Sequence, residues 1–99
     1  MNISSNKAYK KAVHISHCLK GLAHETKLMI LMAVRDREKT VNGLAEILEC
    51  SQPKISQHLS KMKDRGILKS RREGNQIFYS IADKRVFEFL DLMKELFCK

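Results

Sequence analysis

Apolar residues recur at three-and-four spacing between residues 7 and 20, where Ala8, Tyr9, Ala12, Val13, Ile15 and Leu19 predict one face of a helix. Gly21 can end it. A second helix fits Glu25 to Arg35, and its dense run of Leu28, Ile30, Leu31 and Val34 suits a central, mostly buried element. Arg35-Asp36-Arg37-Glu38-Lys39 reads as a charged connection. Thr40 can cap a third helix reaching about Leu48, with Val41, Leu44, Ala45 and Leu48 on one side. Cys50-Ser51 interrupts the pattern, and Ser51 before Gln52-Pro53 has the form of an N-cap with proline in the first turn. The fourth helix runs to about Arg65 and turns Ile55, Leu59 and Met62 inward. Gly66 stands where a left-handed C-terminal residue is expected.

The period then changes. Ile67–Arg72 and Gln76–Ile81 read as strands joined by Glu73-Gly74-Asn75, a hairpin loop whose glycine supplies positive φ. From Asp83, itself a candidate cap, the helical period returns. On this last helix Val86, Phe89, Leu90, Leu92, Met93, Leu96 and Phe97 fill about 160° of the wheel, and Phe87 and Cys98 extend the arc. One core-facing stripe needs only about 100°. The helix therefore has two surfaces to bury, and in a chain of this size the second is most simply covered by a twin. A homodimer is expected.

Length limits these elements to one domain over residues 1–99, since halves of a 99-residue chain would each be too small for a core of their own. The longest apolar run, Leu28–Val34, is far short of a membrane span, and the polar start Met1–Asn6 does not read as a signal peptide, so a cytoplasmic protein without a membrane partner is expected. Cys18, Cys50 and Cys98 form no CxxC pair, which makes free thiols the starting state. Charge changes the picture more. The net charge is +8, and between Lys54 and Arg72 seven bases (Lys54, Lys61, Lys63, Arg65, Lys69, Arg71, Arg72) face one acid, Asp64. A basic stretch of this kind favours a polyanion.

The split third and fourth helices form a helix-turn-helix candidate over about 41–65. Gln57, Ser60 and Lys61 turn away from the inward stripe of the fourth helix, with Gln52 and Lys54 at its start. Short polar groups there suit a helix in the major groove, where glutamine can pair with adenine and serine can read donors or acceptors. Lys54, Lys61 and Lys63 flank them at positions suited to phosphates. The hairpin, with Arg71 and Arg72 near its tip, supplies a basic arm able to enter a minor groove.

At this point the residues resemble a known family. Cys18-Leu19-Lys20-Gly21-Leu22-Ala23-His24-Glu25-Thr26-Lys27-Leu28-Met29-Ile30-Leu31 looks like the opening signature of the ArsR/SmtB winged-helix repressors. Leu44-Ala45 through Leu48, followed by Ser51-Gln52-Pro53-Lys54-Ile55-Ser56-Gln57-His58-Leu59, resembles their recognition segment. Arg65-Gly66-Ile67-Leu68 and Arg72-Glu73-Gly74-Asn75-Gln76-Ile77-Phe78-Tyr79 resemble their wing. The likeness covers about residues 15–98, in order. It implies a mainly α fold with a β-hairpin wing: four helices, a two-stranded wing over about 67–81, and a final helix. It also implies dimerisation through the helices at about 7–20 and 83–98, with Val86, Phe89, Leu90, Met93 and Phe97 at the interface. Function is implied as repression at an imperfect palindrome of double-stranded DNA, relieved by a small inducer. Gln52, Ser56, Gln57 and His58 are then expected to read bases, although His58 lies nearer the buried stripe. Lys54, Ser60, Lys61, Lys63, Arg71, Arg72 and Gln76 are expected on phosphates or in the groove.

The same resemblance bears on the inducer. One family metal site uses Cys-x-Cys at the start of the third helix, where this chain has Thr40-Val41-Asn42-Gly43. Another uses Asp-x-His and a later histidine pair on the last helix, where Asp83 is followed by Arg85, then by Leu96 and Lys99. Metal sensing through either is not expected, and no cofactor is implied. The ending Leu96-Phe97-Cys98 is similar to the thiol- and persulfide-responsive, HlyU- and BigR-like branch. That branch pairs a last-helix cysteine with one on the second helix, where Met32 stands here; Cys18 is the candidate replacement. A zinc or copper site from His14, His17 and Cys18 with Cys98 is the weaker alternative. A basic winged-helix module for an acidic protein is the other functional reading. An enzyme is not expected, because no nucleophile–base pairing, phosphate loop or carboxylate pair is present.

Overall fold

The computed structural model describes residues 6–98. Its elements run α1 (Asn6–Lys20), α2 (Glu25–Val34), β1 (Lys39–Thr40), α3 (Val41–Leu48), α4 (Gln52–Asp64), β2 (Leu68–Glu73), β3 (Gln76–Ile81) and α5 (Arg85–Phe97). The boundaries follow local chemistry. Thr40 Oγ1 accepts the Gly43 N–H at 3.1 Å and Ser51 Oγ accepts the Lys54 N–H at 3.4 Å, so both expected caps bind orphan donors at helix starts. Gly66 and Gly74 take φ of +77° and +63°, the left-handed conformation that the end of α4 and the hairpin loop require. Glu49 ends α3 in the same region, at φ 52°, which tightens the turn into α4. Asp83 caps from one residue further out than expected: its Oδ1 accepts the Arg85 N–H at 3.0 Å, while Lys84 holds the cap position without a side-chain bond.

One strand was not expected. Lys39 and Thr40 were read as the end of a charged connection and the start of a helix, but they pair antiparallel with Tyr79 and Phe78. The sheet is therefore three-stranded, in the order β1-β3-β2. Two residues carry no readable period, and their partner lies far along the chain. The β2–β3 register sets Leu68 opposite Ile81 and Arg71 opposite Phe78.

The core gathers Ile30, Leu31 and Val34 of α2, Leu44 of α3, Ile55, Leu59 and Met62 of α4, Leu68 and Ile81 of the sheet, and Val86 of α5. Val86 corrects an expectation: it packs inside its own chain and presents nothing to a twin. Leu90 leans partly on the same core, whereas Leu92, Leu96 and Phe97 stand exposed, Phe97 at 77%. Helix α1 buries no residue, and Tyr9, Val13, Ile15 and Leu19 are each about half exposed. Its end is tied down where Arg65 Nη1 donates to the His17 carbonyl at 3.2 Å. Gly21 serves this contact, because a Cβ there would meet Arg65 Cδ at 3.0 Å. At the other side of the molecule, Arg35 joins the end of α2 to α5: Nη2 pairs with Asp91 at 2.7 Å and the guanidinium lies 5.6 Å over the Phe87 ring.

Candidate nucleic-acid interface

With Ile55, Leu59 and Met62 committed to the core, α4 turns its remaining positions, His58 apart, to solvent. Gln52, Lys54, Ser56, Gln57, Ser60, Lys61 and Lys63 are all exposed. They form a face with short polar groups in its middle and lysines at its margins. Lys63 is the junction with the hairpin, since its Nζ donates to Ser70 Oγ of β2 at 2.8 Å. Strand alternation puts Arg72 on the same side of β2 as Ser70, the side that α4 flanks. Arg72 and Gln76, both exposed, stand at the base of the loop.

Two residues expected in this surface are placed otherwise. His58 is half-buried, with its ring 5.0 Å from that of His24 and tilted 42° to it. Desolvation, followed by the charges of His24, Lys27, Lys54 and Lys61, pushes the His58 pKa below its usual value. The ring stands at the flank of the α4 face, and His24 in turn caps α2 by accepting the Thr26 N–H at 3.0 Å. Arg71 does not reach outward as a free arm. Its Nε donates to both Glu38 carboxylate oxygens, at 3.0 and 2.9 Å, its Nη2 also pairs with Glu38, and its Nη1 donates to Glu73 at 2.7 Å. The guanidinium lies 4.6 Å over the Phe78 ring. Glu38 and Glu73 raise the Arg71 pKa further, and Arg71 lowers that of Glu38. Glu38 was missed in the sequence because it acts across 33 residues of chain.

The thiols are free: Cys18 and Cys98 are exposed and Cys50 is half-buried against the core. His14 Nε2 lies 3.8 Å from Cys18 Sγ. Among the described residues, no three groups of metal-ligating type converge. No helix among them is long and apolar enough to cross a membrane.

A helix-turn-helix with an exposed polar-and-basic second helix, flanked by a hairpin, defines a winged-helix transcriptional regulator. Residues 24–70 match the model of the bacterial regulatory protein arsR family. The chain is 34% identical over 89 residues to the biofilm growth-associated repressor of Agrobacterium fabrum, covering 90% of this chain and 76% of that protein. It is 35% identical over 81 residues to the transcriptional activator HlyU of Vibrio cholerae, covering 82% and 75%. Reduced HlyU from that organism superposes with a TM-score of 0.85 over 96% of this chain and all of that one, at 30% identity. A homodimeric winged helix-turn-helix DNA-binding domain from Mycobacterium bovis matches with a TM-score of 0.78 at 25% identity, over 97% of this chain and 89% of that one. The chain belongs to the arsR family, whose members are transcriptional regulators and not enzymes.

Proposed function

We propose that the chain is a cytoplasmic, sequence-specific repressor that binds an imperfect palindrome in double-stranded DNA as a homodimer. The observation that carries this reading is the exposed face of α4. Gln52, Ser56 and Gln57 supply hydrogen-bonding groups for base edges, with Lys54, Ser60, Lys61 and Lys63 disposed for phosphates. Arg72 extends the surface toward a neighbouring groove, with Gln76 on the other face of the hairpin, across from Glu73. Residues 1–99 act as one unit, and two copies associate through α1 and α5. Phe89, Met93 and Phe97 are the contact residues, with Leu90 shared between core and interface. The homodimeric relative and the exposed apolar positions of both helices support this arrangement.

The test is selection of duplexes from a random library by the purified protein, followed by titration at several salt concentrations. A recurring inverted repeat is expected, with affinity falling steeply as salt rises. Weak binding without sequence preference, alongside capture by an acidic protein, would favour the interaction-module reading instead. For the inducer, oxidation or persulfidation of Cys18 and Cys98 is favoured over a metal, because both thiols are exposed and free. Release from the selected duplex by a persulfide donor should be lost in Cys98→Ser. Full release in Cys98→Ser would end that proposal.

A further inference from the structure

The pairing of Arg71 is more than a surface ion pair, because of where its partners lie in the sheet. Arg71 of β2, Phe78 of β3 and Thr40 of β1 occupy one row across the three strands. The guanidinium crosses the Phe78 ring and reaches Glu38, two residues before Thr40 and just ahead of the edge strand β1. Glu73, next to the hairpin loop, closes the network from the other side. One side chain therefore ties the wing to the segment that enters the helix-turn-helix. That segment is anchored at its other end by Arg35 on Asp91 and Phe87 of α5. To touch a phosphate, Arg71 would have to leave a two-pronged carboxylate contact, and the phosphate would then approach two uncompensated acids. Alternation also points Arg71 to the side of β2 opposite Ser70 and Arg72, away from Lys63.

We propose that Arg71 is a positioning residue: with Glu38, Glu73 and Phe78 it braces the wing so that Arg72 meets DNA beside α4, and it makes no phosphate contact of its own. The proposal rests on the DNA-binding reading for its consequence, while the brace itself exists in the free protein. Lysine cannot replace it, because an ammonium lacks the planar fork and stacks poorly on the ring.

The two roles differ in sign. Removing the Glu38 charge frees Arg71 and deletes an acid near the interface, so a phosphate-contacting Arg71 would bind DNA more tightly in Glu38→Gln, with a steeper salt dependence. A brace predicts the reverse. On the selected duplex, Glu38→Gln and Arg71→Lys should each weaken binding about fivefold with an unchanged salt slope. Arg72→Ala should flatten the slope by about one. Tighter binding by Glu38→Gln, or a flattened slope in Arg71→Ala, would overturn the proposal. In DNA-free protein, amide exchange at residues 71–76 should quicken about fivefold in Glu38→Gln while that of Ile55 and Leu59 is unchanged. Unchanged exchange at the wing overturns the brace even if no duplex is selected. Failure of selection alone speaks only against DNA binding.

Discussion

Gln57 is exposed at the centre of the α4 face, about a turn and a half from the capped start of the helix and between buried Ile55 and Leu59. A side chain so placed affects recognition without touching the core. Gln57→Ala should cost about 1–3 kcal/mol on the selected duplex and little on random DNA, measured by competition titration. Equal losses on both would remove it from the base-reading set. A second residue-scale prediction concerns Asp83. Hydrogen bonds from the Arg85 side chain and then from its backbone N–H lower its pKa from 3.8 to about 2. A depressed carboxylate stabilises the fold above its unfolded value and loses that contribution as pH falls through the folded one. The start of α5 should thus hold its cap down through pH 4 and release it only toward pH 2. A carboxyl NMR titration of Arg85→Ala should find the Asp83 midpoint raised toward the ordinary value but still below it, because the residue-85 N–H remains bonded to the carboxylate.

Among the elements, those whose signals are local were legible in the sequence. Helices α3 and α4 were readable because Thr40, Ser51 and Gly66 punctuate them and because Ile55, Leu59 and Met62 keep a strict inward period. The hairpin was readable from Gly74 and the alternation of β3. What stayed hidden depends on residues far apart: β1, which exists only by pairing with β3, and the Glu38–Arg71 contact, which pairs within the chain a guanidinium expected on DNA. The burial of Val86 and the half-burial of His58 escape the sequence for a related reason. A helical wheel orders residues around an axis but does not say which neighbour covers each sector, and α5 and α4 each have a flank covered by their own chain. Met93 consequently isolates the dimer contact better than Leu90, which also touches the core. Met93→Lys should yield folded monomers in sedimentation, with loss of palindrome binding, since a charge on the proposed interface would be left unpaired. A dimer that survives the substitution would place the interface elsewhere.

At the scale of the whole molecule, α1 stands apart. Its 15 residues bury nothing within the chain, and the bond from Arg65 holds only its last turn. A helix of that length is marginal in water when it has no surface to rest on. In the proposed dimer its order is supplied by association, so that part of the secondary structure would belong to the dimer rather than to the chain. The far-UV circular dichroism of the wild-type protein should lose helical signal on dilution below the dimer dissociation constant, in parallel with the sedimentation average. The signal of Met93→Lys should be low at every concentration. On that arrangement, the free energy that orders α1 is drawn from the same association that aligns two α4 helices on DNA, so the apparent dimer affinity would include a folding cost. Substitutions that raise the helicity of α1 on its outer side, without touching any contact, should therefore tighten the dimer and strengthen repression at low cellular concentrations of the protein.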